Sequence, residues 1–167
     1  GHPEVYVILL PSLGMVAEVI PTFSRKTLFA YKFIVYLSLI SAVLAVVVWA
    51  HHQFISGIDP AMATFFSIGT IIISIPFAGI FLSFIATLWK SAIRMSVPLM
   101  WALGLMGTFA LLGGLTGLFL GSDTFDIYAH DTYFVVAHFH YTVFPIVIFG
   151  SFVGIYYWFP KFSGKML

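Results

Sequence analysis

The chain has 167 residues, 61% hydrophobic and only 8% charged, with a mean hydropathy of +1.08 and a net charge of +1. Water could not solvate such a composition as an ordinary globule, so a bilayer is its natural solvent, and no nucleic-acid partner is expected. Cysteine is absent, which excludes disulfides, zinc–thiolate sites and iron–sulfur clusters and leaves histidine and oxygen to hold any metal. At about 20 apolar residues per span, the length allows roughly five helices with short connections, read as one membrane domain over residues 1–167. The chain begins at Gly1 inside an apolar pattern, without an initiator Met, a basic leader or a cleavage signal, and is read as a fragment or as one half of a divided protein.

Five apolar stretches follow one another at about 3–21, 31–54, 61–89, 97–120 and 133–158, each interrupted or bounded by Pro, Gly or charge. Lipid offers no partner for a free N–H or C=O, and barrel strands would alternate apolar with polar residues, so all five are predicted to be transmembrane helices. The fold class is therefore an all-α integral membrane helix bundle. The third stretch is long, which predicts tilt or an interfacial overhang. Pro11, Pro76 and Pro145 fall inside spans and predict local kinks.

Charge orients the bundle. All seven basic residues (Arg25, Lys26, Lys32, Lys90, Arg94, Lys161, Lys165) fall after spans one, three and five, which places those connections on the cytoplasmic or matrix side. The other two connections carry Asp59, Asp123, Asp126 and Asp131 and no basic residue. That orientation puts all six histidines, His2, His51, His52, His130, His138 and His140, toward the outer side at one depth. Ionisable groups in membrane spans are costly and usually mark a function. A hydrogen-bonded core residue is the plain alternative for one histidine, but it is a poor account of six together.

His138 and His140 are two residues apart and project about 200° apart on a helix, so they cannot bind one metal together. They can ligate two centres on opposite sides of span five, which suits two haems flanking a shared helix. Neutral imidazole is the common proximal haem ligand, its other nitrogen fixed by an acceptor. His51 and His52 diverge by about 100° on a regular helix and could reach one ion only near a helix end, where the following Gly57 and Pro60 put them. A site of three imidazoles suits copper ahead of zinc, with His2 as the third ligand. Tyr6 stands four residues after His2 on the same face, and its phenol could supply a proton and an electron.

The run His2-Pro3-Glu4-Val5-Tyr6, the pair His51-His52, and the segment from His130-Asp131-Thr132-Tyr133 to His138-Phe139-His140-Tyr141 together resemble subunit I of the haem–copper oxidases, of the cytochrome c oxidase type. The resemblance covers essentially the whole chain, which looks like helices six to ten of a twelve-helix subunit. It implies that His2, His51 and His52 bind copper, that Tyr6 is the active-site tyrosine joined covalently to His2, and that Glu4 passes protons inward. It implies further that His138 is the proximal ligand of the high-spin, oxygen-binding haem and His140 an axial ligand of the low-spin haem. His130 and Asp131 match the ligands of a magnesium ion, and a hard carboxylate suits that ion.

The cofactors so implied are two haems, of the A type, with copper and magnesium. The activity implied is reduction of O₂ to water with electrons from cytochrome c, coupled to proton translocation. The partners implied are the remaining subunit I helices, subunit II, through which electrons enter, subunit III and others, and cytochrome c as donor. The location implied is a respiratory membrane, either a prokaryotic cell membrane or the mitochondrial inner membrane. A quinol oxidase of the same superfamily and a non-catalytic structural subunit are the alternatives; His130-Asp131 with Tyr141 favours the cytochrome c type.

The chain departs from the family along one proton path. Aligning Ile75-Pro76 with the family's Ile-Pro puts Ala17, Phe77 and Ile80 where a serine, a threonine and a lysine normally stand, although Thr70 matches another hydroxyl position of that path. Glu18 is an unexpected acid near the inner end of span one. It is a candidate for a rerouted path, or equally an interfacial carboxylate or a partner for a nearby Arg or Lys.

Overall fold

Apolar runs of this length can satisfy their backbone groups internally only as helices, and the computed structural model, which describes residues 2–167, is helical throughout its spans. Helix α1 covers His2–Ser24, and α2 (Tyr31–Val48) continues into a 3₁₀ turn at Trp49–Gln53. Helix α3 covers Pro60–Leu88. The fourth span runs from Val97 to Leu120 as α4 (Val97–Gly107), a π-helical segment Thr108–Gly114 and α5 (Leu115–Leu120). A short α6 (Asp123–Ala129) bridges to the fifth span, built from α7 (Tyr133–Phe144), a π segment at Pro145–Phe149 and α8 (Gly150–Ser163). Among the described residues, five helices are thus long and apolar enough to cross a membrane, in the predicted places.

Local chemistry explains several ends. Asp59 caps α3, its carboxylate accepting from the N–H groups of Ala61 (2.9 Å) and Met62 (3.4 Å), and Pro60 fills the first helical position, where no N–H is needed. Gly164, at φ 70°, stops α8 in the left-handed conformation. Of the three prolines expected to disturb spans, Pro11 and Pro76 lie inside uninterrupted α-helix, whereas Pro145 opens a π segment.

The main core gathers α1, α3, α4 and α8 around Leu13, Val16, Ile80, Phe84, Leu99 and Val153, all essentially buried. A smaller cluster of Ala45, Val48 and Ile73 joins α2 to α3 and packs against Tyr6 and Phe77. Large apolar side chains also cover the outside, among them Val43, Ile75, Leu82 and Leu111. Such a surface is stable in lipid or beneath further helices, which fits a multi-pass membrane protein.

The span ends around Phe23, Phe29, Thr87 and Arg94 are stitched by hydrogen bonds. Buried Thr87 accepts from the Phe29 N–H at 3.0 Å while its hydroxyl donates to the Ser83 carbonyl at 2.8 Å, and the Arg94 N–H donates to the Phe23 carbonyl at 2.8 Å. Replacing Thr87 by the isosteric Val orphans the Phe29 N–H and is expected to cost about 1–3 kcal/mol. Thermal unfolding in detergent measures it, and an unchanged midpoint would remove this stitch from the account.

Candidate metal centre

Up-and-down topology brings the start of α1 and the end of the second span to the same end of the bundle, and there His2, His51 and His52 converge. One ring nitrogen from each lies within 4.8 Å of the others. The rings stand 4.7 Å (His2–His51), 5.4 Å (His2–His52) and 4.3 Å (His51–His52) apart between centroids, and His2 Nδ1 is 3.3 Å from His52 Nε2. The 3₁₀ turn at Trp49–Gln53 is the helix end that adjacent histidines need to share one target.

The surrounding bonds select which nitrogen each ring offers. Thr70 Oγ1 donates its proton to the Phe66 carbonyl at 2.6 Å, so toward His51 Nδ1, 2.7 Å away, it acts as acceptor. His51 then carries its proton on Nδ1 and keeps the Nε2 lone pair for the cluster. His2 Nε2 is buried with no hydrogen-bond partner among the described residues while Nδ1 faces His52. Tyr6 lies beside that ring, 4.8 Å between centroids. Three converging imidazoles without a carboxylate, with an orphaned buried nitrogen, fit a soft or borderline transition metal and have no evident purpose without one.

A cavity of about 670 Å³ adjoins the cluster, lined by His2, Glu4, Ile8, Trp49, His52 and Phe139 among others. Its size falls in the range of small-molecule and cofactor sites, about 300–1,000 Å³. His138 and His140 are not among its lining residues. Both have Nδ1 engaged with an acceptor: His138 with the Gly113 carbonyl and Thr116 Oγ1, each at 3.0 Å, and His140 with the Val136 carbonyl at 2.8 Å. Each ring therefore keeps Nε2 as its available donor, which fits axial ligation of a haem iron.

His130 and Asp131 sit together at the end of α6, His130 Nε2 3.8 Å from Asp131 Oδ1. Asp131 adopts φ 57°, a left-handed conformation that an aspartate tolerates, and its side chain is exposed. Sequence reasoning overlooked Asp126 as His130's partner. It is 4% exposed and binds His130 Nδ1 at 2.9 Å, and its signal was the i, i+4 spacing on a helix. Gly113 and Thr116 were overlooked too, because nothing in their identity marks them as partners of a distant histidine.

The two seams running along the bundle away from this end differ. At the positions of the departed path, Ile80 is fully buried, Ala17 packs against the core, and the Phe77 ring lies 5.8 Å from that of Tyr6. These three side chains offer no hydroxyl or amine there. Glu18 faces the other way: the Tyr157 hydroxyl of α8 donates to its Oε1 at 3.4 Å, Thr22 lies 3.3 Å from the same hydroxyl, and Lys161 sits 3.5 Å over the Tyr157 ring. Glu18 thus has its partner on α8, whereas Tyr6 packs against Phe77 of α3.

The fold and this end of it define a class: a multi-pass helical membrane protein with a three-imidazole centre and two further histidines, on one helix, that each present Nε2. Comparison with known proteins is more specific. Residues 1–167 match the family described as "Cytochrome C and Quinol oxidase polypeptide I", and the chain belongs to that family. It is similar to proteins named cytochrome c oxidase subunit 1: 48% identical to that of Corynebacterium diphtheriae and 47% to that of Thermostichus vulcanus, over all 167 residues, which are 29% and 30% of those proteins. Similarity to that of Cereibacter sphaeroides is 44% over 165 residues, 99% of this chain and 29% of the relative. The chain spans under a third of the length of these curated relatives.

Proposed function

We propose that this chain is the part of a terminal respiratory oxidase that holds its oxygen-reducing centre, acting as a cytochrome c oxidase that couples reduction of O₂ to water to proton translocation. The observation that carries the reading is the His2–His51–His52 cluster, with ring nitrogens within 4.8 Å and a buried His2 Nε2 that has no partner among the described residues. Names of relatives as cytochrome c oxidase subunit 1 support cytochrome c as the donor over a quinol.

In this reading His2, His51 and His52 hold copper. His138 and His140 give Nε2 to the high-spin and low-spin haems, of the A type, and His130 with Asp131 holds magnesium. When bound, copper and haem supply the electrons that reduce O₂. The chain's own residues fix geometry and protons. Thr70 holds the His51 tautomer, and the bonds at Nδ1 hold those of His138 and His140. Tyr6 supplies a hydrogen from its phenol beside His2, the residue to which the family resemblance joins it covalently. Glu4, on the wall of the 670 Å³ cavity, carries protons toward the centre.

Residues 1–167 form one transmembrane domain of a larger twelve-helix bundle. The exposed apolar faces of the spans are covered by lipid and by the remaining subunit I helices, with subunits II and III completing the complex in a respiratory membrane, bacterial or mitochondrial. The Ile80–Phe77 seam carries no protons in this scheme. A reduced-minus-oxidised optical spectrum of the purified complex containing this chain, with and without carbon monoxide, tests the reading alongside copper and iron analysis. Two haems, one of them binding carbon monoxide, with copper present, are expected. A complex without haem or copper would leave a structural membrane subunit as the better account.

A further inference from the structure

The fourth span receives His138 in a slot made of small residues. A Cβ on Gly117 would stand 2.9 Å from His138 Cε1, and one on Gly113 would stand 2.8 Å from the Tyr141 carbonyl oxygen, so the ring of α7 approaches this helix only because both positions are glycine. The slot begins at the end of the π segment Thr108–Gly114, whose wider turn moves carbonyls away from the regular ladder. Within it His138 Nδ1 meets two oxygens at equal distance, 3.0 Å: the Gly113 carbonyl and Thr116 Oγ1.

The Thr116 hydroxyl has one proton, and two carbonyls of its own helix compete for it, Leu112 at 2.5 Å and Gly113 at 2.9 Å. Carbonyls only accept, so the proton goes to one of them and Oγ1 turns a lone pair toward the imidazole. The Nδ1–H is then shared between two acceptors. One acceptor leaves a ring free to pivot about the N–H direction, whereas two flanking acceptors fix its rotation. Both also push electron density toward Nε2.

We propose that Thr116 is a positioning residue for His138, the second acceptor that fixes the orientation of the imidazole and strengthens Nε2 as a donor. The proposal rests on His138 being an axial haem ligand. Bonding of a threonine to the carbonyl one turn back is common in membrane helices, and it accounts for the contact with Leu112 but not for the approach to Nδ1.

The test is the iron–histidine stretching band in the resonance Raman spectrum of the reduced complex, recorded for Thr116→Val and Thr116→Ser. Valine keeps the shape and removes the oxygen, so the band is expected to fall in frequency and broaden. Serine keeps the oxygen and is expected to hold the band at its unsubstituted position and width. A band unmoved in the valine variant, or moved as far by serine as by valine, would overturn the proposal. Should the valine complex fail to assemble, Thr116→Ala, which also removes the oxygen, takes its place and is read by the same criteria. A band that survives His138→Ala would instead remove His138 as the ligand, and with it the reading beneath the proposal.

Discussion

Replacing His51 by Ala is expected to empty the three-imidazole centre: the purified complex loses the copper held there, and oxygen consumption falls by more than about 100-fold. Loss of a partner that merely orients a ligand typically weakens metal binding about 10–100-fold, and removal of a ligand is worse. Nothing else among the described residues replaces it, since the three rings form the one histidine cluster of metal-binding dimensions. The companion variant Thr70→Val isolates the orienting bond. It removes the acceptor 2.7 Å from His51 Nδ1 but leaves three imidazoles, so copper affinity is expected to fall about 10–100-fold with copper still taken up when supplied in excess. Metal analysis after dialysis against a chelator separates the two. Full copper retention in His51→Ala would dispose of the ligand assignment, and copper loss in Thr70→Val as complete as in His51→Ala would dispose of the distinction.

The cluster was legible because its members are marked twice, as ionisable groups in apolar segments and by topology. His2 begins span one and His51-His52 ends span two, so alternating spans put them at one end before any contact is known. The i, i+4 spacing of His2 and Tyr6 likewise translated directly into adjacent rings. Span limits were legible wherever charge or a turn coincides with the end, as at 97–120, but Pro21 and Pro160 lie inside helices that run on to Ser24 and Ser163. Near a helix end, the hydrogen bond a proline removes is among the easiest to replace, so it is a weak stop signal there. The π segments were hidden because a single wider turn barely changes the apolar pattern. Helix α6 was hidden because its seven residues, Asp123–Ala129, contain no apolar run. Least legible were the partners of the histidines. The Gly113 carbonyl is a backbone atom that every residue has, and the direction of Glu18 toward Tyr157 depends on how α8 packs against α1.

That hidden layer makes Gly113→Ala the second large effect. Pro145 has no N–H, so the Tyr141 carbonyl four residues before it lacks its usual α-helical partner, and this carbonyl is the one that faces Gly113. A methyl group at Gly113 would lie 2.8 Å from that oxygen, 3.1 Å from its carbon and 2.8 Å from Thr142 Cγ2. Two of the three obstacles are backbone, which cannot swing aside, so α7 has to move, and overpacking of this kind costs about 1–3 kcal/mol. His138 lies one turn before Tyr141 and Thr142 and binds the Gly113 carbonyl itself, so displacement of α7 disturbs the same hydrogen bond that holds its ring. The expected result is a lowered unfolding midpoint together with an altered spectrum of the high-spin, carbon-monoxide-binding haem. Gly107→Ala, in the same span, supplies the control: a Cβ there meets nothing within 4 Å, and relief of glycine's backbone freedom is worth about 0.4–1 kcal/mol in its favour. Equal midpoints for the two variants would mean that the close approach of the fourth span to α7 is not what holds His138 in place, whereas a drop confined to Gly113→Ala ties the stability of that helix pair to the orientation of the imidazole it carries.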